Sequence, residues 1–160
     1  GVKATERVGV IGIGGLGHLA LSFLSKWGCE VTAFTTSPSK HDEAKRLGAH
    51  HVVNSRDSAQ MKQLAGGLDF VLSTVNAPLD WGAIIETLAP VSAFALITAQ
   101  RVISGSPIGS PTAVAAMLDF CARHSIAPIT ETFPMSQVNE ALEHLRAGKA
   151  RYRIVLKNDF

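Results

Sequence analysis

The chain has 160 residues, of which 46% are hydrophobic and 18% are charged, so it can bury a core and is not a disordered tail. This length corresponds to one domain or slightly more. The 15 lysines and arginines are scattered and exceed the 13 acidic residues by a net charge of only +2, which gives no argument for a nucleic-acid partner.

Cysteine content and hydropathy indicate in which cellular compartment the protein is expected. Cys29 and Cys121 are far apart and form no Cys-x-x-Cys pair, which excludes a disulfide scaffold and a cysteine-rich structural zinc site. We therefore expect a reduced, cytoplasmic protein. No apolar run approaches the roughly 20 residues that span a bilayer, and the first residues lack the three-part pattern of a signal peptide. No membrane partner is expected.

Short apolar runs alternate with segments of helical periodicity through the first two-thirds of the chain. The predicted strands cover residues 8–11, 30–34, 51–53, 68–72, 93–97 and 102–104. The predicted helices cover residues 16–27, 37–47, 58–64 and 79–88. The second of these helices has Ser37 as its N-cap and Pro38 in its first turn. Because the strands are continuous apolar runs, we predict an α/β fold with a doubly wound parallel sheet covered on both faces.

The pattern changes after Pro111. A helix over residues 112–124 is predicted to carry four apolar side chains on one side: Val114, Met117, Leu118 and Cys121. An extended segment, a helix capped by Ser136 and a terminal strand over residues 151–157 follow. We therefore divide the chain into a first domain over residues 1–125 and a C-terminal extension over residues 126–160.

The connection between the fifth and sixth predicted strands is too short. Only residues 98–101 separate them, whereas a parallel crossover needs about a dozen residues or more. Either these two strands are not parallel neighbours, or residues are missing between Gln100 and Arg101.

A glycine motif follows the first strand and opens the first helix. Residues 12–17 read Gly-Ile-Gly-Gly-Leu-Gly and match the pattern G-x-G-x-x-G. In a Rossmann-type domain Gly12 allows a tight turn, Gly14 lets the backbone approach a pyrophosphate, and Gly17 lets the helix pack closely on the strand. We predict a dinucleotide-binding domain; a glycine turn without a ligand and a methyltransferase-type nucleotide loop are the alternatives.

The end of the second strand discriminates between the two nicotinamide dinucleotides. An NAD site places an acidic residue about 20 residues after the motif, on the ribose hydroxyls, but residues 34–40 read FTTSPSK. Thr36 and Ser37 can offer hydrogen bonds to a 2′-phosphate, and Lys40 a positive charge. NADP(H) is therefore favoured over NAD(H). Ordinary capping and turn chemistry at residues 35–37 is the alternative.

Ligands of open α/β sheets bind outside the carboxyl ends of the strands. The turns after the fourth and fifth strands and the glycine-rich segment 104–110 are therefore candidates for the nicotinamide half of the site, although each could also be a plain loop. The residues expected to face the nicotinamide, mainly through their backbone, are Thr74, Val75, Ala99, Ser106 and Ile108.

No other catalytic pattern is visible. The sequence has no G-x-S-x-G elbow, and its six histidines show no H-x-x-x-H or H-E-x-x-H spacing. His18 lies in the first turn of the glycine-motif helix and could touch a cofactor, but a packing or exposed role is favoured. Cys29 and Cys121 are predicted to be small buried hydrophobes, and Trp27 is predicted to pack between helix and sheet.

Several segments together resemble one family. They read GIGGLGH at 12–18, TSPSK at 36–40, LGA at 47–49, DFVLSTVNAPLDW at 69–81, SGSPIGS at 104–110 and FPMSQVNEALEHLRAGKARYRIVL at 133–156. In combination they resemble the medium-chain zinc-dependent alcohol dehydrogenases, and within them the cinnamyl alcohol dehydrogenase-like aldehyde reductases. The resemblance runs from about residue 6 to residue 157.

The resemblance implies a hydride transfer between NADP(H) and a primary alcohol or aldehyde, with zinc as the Lewis acid. The family's zinc ligands lie in an N-terminal catalytic domain that this sequence does not contain, so no catalytic residue and no metal ligand is assigned here. The extension 126–160 would pack on that domain. The expected pyrophosphate contacts are Gly12, Gly14, Gly15, Leu16 and Gly17. The expected 2′-phosphate contacts are Thr36, Ser37 and Lys40, and Thr35 is included among the cofactor-binding residues.

Family members also have a longer connection between the counterparts of Gln100 and Arg101, which helps to form a homodimer. Two other interpretations stay open. One is a zinc-free reductase of the quinone reductase kind in the same superfamily. The other is a stand-alone nucleotide-sensing module that regulates a partner.

Overall fold

Four strands form a parallel sheet in the computed structural model, which describes residues 1–88, 104–105 and 108–160. The strands are β1 (Arg7–Ile11), β2 (Glu30–Phe34), β3 (His51–Val53) and β4 (Phe70–Ser73), in the order β3-β2-β1-β4. The helices between them are α1 (Gly17–Trp27), α2 (His41–Arg46), α3 (Ser58–Gln63) and α4 (Trp81–Thr87). The predicted parallel α/β fold is confirmed. The fifth predicted strand, most of the sixth and the connection at residues 100–101 lie outside the described residues.

The sheet buries apolar side chains on both faces, because successive residues of a strand point to opposite sides. One face carries a cluster in which Val8, Val10 and Val31 pack with Leu21 of α1. The other face carries a second cluster, which consists of Ile11, Phe34, Met61, Leu68 and Ile84. Full burial of one such side chain stabilises the fold by about 1.5–3 kcal/mol. The two clusters explain why apolar residues follow one another along β1 and β2 instead of alternating with polar ones.

The ends of the helices are only partly as predicted. α1 ends at Gly28, whose φ of 101° is left-handed and whose N–H donates to the carbonyls of Leu24 and Ser25. Ser37 precedes a single 3-10 turn (Pro38–Lys40) rather than α2, and its side chain caps nothing there. Its hydroxyl lies 2.9 Å from that of Ser39 instead. Ser37 therefore occupies the predicted N-cap position, with Pro38 in the first turn, but its side chain makes no capping hydrogen bond.

The C-terminal part adds α5 (Pro111–Arg123), β5 (Thr130–Pro134), α6 (Val138–Arg146) and β6 (Arg153–Lys157), and β5 pairs with β6 in parallel. Ser136 does not cap α6. It lies in a 3-10 turn (Met135–Gln137), and its hydroxyl donates to Asp159, which holds the pKa of that carboxyl below its usual value. The prediction of Ser136 as an N-cap is therefore wrong, because its hydroxyl bonds to Asp159, which is 23 residues away in sequence.

The apolar side of α5 is largely exposed, contrary to the buried position predicted for Cys121. Val114 and Leu118 are 37% and 59% exposed, and Cys121 is only half-buried. Trp27 is 43% exposed, and its ring lies 5.4 Å from that of Phe120 on α5 rather than wholly against the sheet.

Cys29 lies before β2 and is buried, as predicted. Its burial raises the pKa of its thiol.

Candidate functional site

The register of the sheet brings three loops to one edge. Ile11, the last residue of β1, pairs with Phe34 at the end of β2 and with Ser73 at the end of β4. The residues that follow these strand ends are therefore neighbours at the carboxyl edge of the sheet, where parallel α/β folds bind ligands. The loop after β1, residues 12–17, lies between the other two because β1 is central.

The glycines of this loop have steric reasons to lack a side chain. Gly12 has a φ of +91°, and a Cβ there would lie 2.2 Å from Cγ1 of Val75. A Cβ on Gly17 would lie 1.7 Å from the carbonyl oxygen of Gly12, so α1 can pack against the turn only with glycine at this position. A Cβ on Gly14 would meet nothing within 4 Å, so this part of the loop faces open space.

Thr74 supports the loop from the neighbouring strand. Its hydroxyl lies 3.0 Å from the carbonyl oxygen of Ile11 and 2.9 Å from that of Gly12, and its N–H donates to Ile11. These bonds turn the Thr74 side chain toward the loop backbone. Val75 packs on Gly12 and is 37% exposed. Contact of these two residues with a nicotinamide stays a prediction.

The N-terminus of α1 is open toward this edge. Leu16 occupies the N-cap position, provides no side-chain hydrogen bond and is 59% exposed, and no acidic residue lies in the first turn. The first turn of a helix leaves backbone N–H groups without intrahelical partners and carries the positive end of the helix dipole. The loop and the helix start therefore offer donors and a positive potential to an anion.

Lys40 reaches this loop from the turn after β2. Its Nζ donates to the carbonyl oxygen of Ile13 at 3.0 Å, which places a positive charge beside the glycine motif. Thr35 is buried, and its hydroxyl accepts the N–H of Ser37 at 3.2 Å, as the turn-chemistry alternative expects. Thr36 is exposed at the same end of the strand.

Arg153 is a second cation at the loop, and the sequence reasoning missed it. A Cβ on Gly15 would lie 3.3 Å from Cζ of Arg153 and 3.6 Å from the carbonyl oxygen of Tyr152. The C-terminal extension thus lies over the glycine motif. The contact joins distant parts of the chain, so no local pattern indicates it.

His18 connects the loop to the same extension. It is 1% exposed, its Nδ1 lies 3.0 Å from the carbonyl oxygen of Gly14, and its ring stacks on Tyr152 at 4.4 Å. The packing role that was favoured for His18 is therefore correct. Burial and then the Glu43 carboxylate raise the pKa of the Tyr152 phenol, and Arg151 approaches the same carboxylate at 3.7 Å.

The remaining predicted nicotinamide contacts are Ile108, Ala99 and Ser106. Ile108 is 79% exposed in the segment before α5, and the contacts described above do not include it. Ala99 and Ser106 lie outside the described residues. Within residues 1–88, 104–105 and 108–160, no three histidines, cysteines or acidic residues lie close enough to hold a metal ion. No helix in the described part of the chain is long and apolar enough to cross a membrane.

The chain is similar in sequence to known proteins over nearly its whole length. The family model described as "Zinc-binding dehydrogenase" matches residues 15–98. The aldehyde reductase AdhA of Synechocystis sp. is 48% identical over 172 residues, which covers 98% of this chain and 51% of the relative. Because the alignment is longer than the chain, this relative carries residues that the chain lacks. That agrees with the expectation of a longer connection in the family, whose position stays a prediction.

Two solved structures extend the comparison. A cinnamyl alcohol dehydrogenase from Sorghum bicolor, SbCAD4, is 36% identical with a TM-score of 0.85, and the match covers 96% of this chain and 48% of that one. A CAD from Helicobacter pylori, solved in complex with NADP(H), is 28% identical with a TM-score of 0.74, covering 97% and 48%. The chain spans about half the length of the relatives it matches. It belongs to the zinc-binding dehydrogenase family.

Proposed function

We propose that this chain is the NADP(H)-binding part of an oxidoreductase that transfers a hydride between NADP(H) and a primary alcohol or aldehyde. The observation that carries the proposal is the glycine loop at the carboxyl edge of the sheet, with an open helix N-terminus and with Lys40 and Arg153 beside it. Membership of the zinc-binding dehydrogenase family supports it, as does the NADP(H) complex of the similar Helicobacter pylori enzyme.

The residues of the loop fit a dinucleotide. The space at Gly14, which a side chain would fill, is suited to a pyrophosphate, and the N–H groups of residues 14–17 are its proposed donors. Gly12 and Gly17 shape the turn, and Thr74 fixes it by hydrogen bonds to two of its carbonyls. The bound dinucleotide supplies the hydride chemistry.

The second half of the proposal concerns the 2′-phosphate. Thr36 and Ser37 are the proposed hydroxyl donors, and Lys40 is the proposed cation, already held at the loop by Ile13. Thr35 contributes through its place in the turn, since its hydroxyl accepts the N–H of Ser37.

For the nicotinamide half we propose backbone contacts from the loop ends. The residues that would make them are Thr74, Val75, Ala99, Ser106 and Ile108. Their support is the position of Thr74 and Val75 at the carboxyl edge of the sheet, beside the glycine loop.

The zinc that the family implies does not fit the described residues, since no three suitable ligand side chains come together in them. We propose that the zinc site belongs to a segment outside this sequence, because the chain spans about half of its relatives. The exposed apolar side of α6, with Leu142 and Leu145, supports docking of the extension 126–160 on that segment.

We further propose a small alcohol or aldehyde as the substrate, assembly as a homodimer and a cytoplasmic location. The first two follow the family resemblance. The third rests on two cysteines that are both free in the structure. No nucleic-acid partner is proposed, in line with the small net charge.

The test is an assay of the natural gene product that contains this sequence, with an aldehyde and NADPH, before and after treatment with a metal chelator. We expect NADPH-dependent reduction that is lost with the chelator and restored by zinc. Reduction of quinones that the chelator leaves intact would identify a zinc-free reductase instead. A natural product of 160 residues without turnover would support the nucleotide-sensing module.

A further inference from the structure

His18 occupies an unusual position for a buried histidine, between the glycine loop and the C-terminal extension. Both of its ring nitrogens are engaged by backbone groups. Nδ1 lies 3.0 Å from the carbonyl oxygen of Gly14, and Nε2 lies 3.3 Å from the backbone nitrogen of Ile129. The ring is also stacked on Tyr152, with an interplanar angle of 10°.

The two partners determine which nitrogen carries the proton. The backbone N–H of Ile129 is a donor, so Nε2 must accept, and the single proton of a neutral imidazole then sits on Nδ1. That proton is donated to the carbonyl oxygen of Gly14. A proton on Nε2 would point at the N–H of Ile129 and leave the Gly14 carbonyl without this donor.

Fixing this carbonyl also fixes the direction of a phosphate-binding donor. In a trans peptide the C=O and the following N–H point in opposite directions. The Gly14 carbonyl points at His18, whose backbone N–H also donates to it at 3.1 Å. The N–H of Gly15 is therefore aimed away from His18. A Gly-Gly peptide has the greatest freedom to rotate, and rotation would turn a carbonyl dipole toward a bound phosphate.

On its other side, His18 contacts a part of the extension whose residues are linked to one another by hydrogen bonds. The carbonyl of Ile129 accepts the N–H groups of Tyr152 and Arg153 at 3.1 and 3.2 Å. The same two residues face His18 and Gly15. Movement of this part of the extension would therefore change the support of the loop and the position of the Arg153 guanidinium together.

We propose that His18 is a positioning residue for the pyrophosphate site. As a neutral, Nδ1-protonated ring it holds the peptide between Gly14 and Gly15 in the phosphate-binding orientation and couples that orientation to the docked extension. This inference rests on the proposed NADP(H)-binding function. It assigns a role in affinity to a residue that does not touch the ligand.

The test compares His18→Asn and His18→Leu in the 160-residue chain. The amide nitrogen of asparagine lies near the place of Nδ1 and keeps a donor for Gly14, whereas leucine fills the buried volume but offers no donor. We expect His18→Leu to weaken NADPH binding about three- to tenfold, and His18→Asn to restore most of that loss. Adenosine 2′-monophosphate, which lacks a pyrophosphate, should bind the wild-type chain and both variants equally.

A purely structural role predicts that NADPH and adenosine 2′-monophosphate lose affinity in parallel, because a destabilised fold weakens both ligands. Weaker binding by His18→Asn than by His18→Leu, or parallel losses for adenosine 2′-monophosphate, would overturn the inference. A ¹⁵N spectrum of the wild-type imidazole is an independent check that needs no variant. It should show a protonated Nδ1 and an unprotonated Nε2, and the reverse tautomer would contradict the geometry.

The outcomes separate the two proposals. A wild-type chain that binds no NADPH overturns the proposed function and this inference with it. A wild-type chain that binds NADPH, with variants of equal affinity, overturns the role of His18 alone.

Discussion

Replacement of Gly14 by valine is expected to abolish binding of NADPH and NADH while the chain stays folded. A Cβ at this position meets nothing within 4 Å, so the valine side chain starts in open space. It would instead occupy the space in which the pyrophosphate is proposed to lie. Calorimetric titration measures the loss of binding, and a thermal melt of the same sample measures the fold.

Two further variants calibrate this result. Gly14→Ala places a smaller group in the same space and should weaken binding less than valine does. In Gly17→Ala the new Cβ would lie 1.7 Å from a backbone oxygen of Gly12, so we expect a large loss of thermal stability. A Gly14→Val chain that binds NADPH with unchanged affinity would show that the ligand does not approach this loop.

Lys40→Ala is expected to lower the affinity for NADPH and to leave the affinity for NADH nearly unchanged. The Lys40 ammonium has three donors, and its bond to Ile13 uses one of them. A lost charged hydrogen bond to a 2′-phosphate corresponds to about 1.5–3 kcal/mol, or roughly a tenfold to hundredfold change in Kd. Titrations with both cofactors measure the ratio of affinities.

Lys45→Ala is the matched control for this prediction. Lys45 carries the same charge on the following helix, is exposed, and lines a separate pocket with His41 and His50. Its removal should change neither affinity. Equal losses for both cofactors in Lys40→Ala would show that this lysine supports the loop through Ile13 and does not recognise the 2′-phosphate.

The fold could be predicted largely from the sequence, for a physical reason. A sheet covered on both faces needs strands whose successive residues are nearly all buried, and after its first residue every residue of β1 and β2 is buried. α1 was equally predictable, because Gly28 ends it in the left-handed conformation. The register of the sheet then places the glycine loop at the edge where the motif suggested it.

Features that depend on distant partners could not be predicted. The periodicity of α5 identifies an apolar side but not what covers it, and in this chain Leu118 stays 59% exposed. The hydroxyl of Ser136 is a typical acceptor for the backbone N–H groups that begin a helix, yet it donates to Asp159 instead. Arg153 reaches the glycine loop, and Ile129 reaches His18, through contacts between distant segments.

The central claim is that this chain holds an NADP(H) site of its own, and one titration tests it most directly. The purified 160-residue chain is titrated in a calorimeter with NADPH and, in the same buffer, with NADH. We expect one NADPH per chain, bound at least about tenfold more tightly than NADH. Failure to bind either cofactor, or tighter binding of NADH, would contradict it.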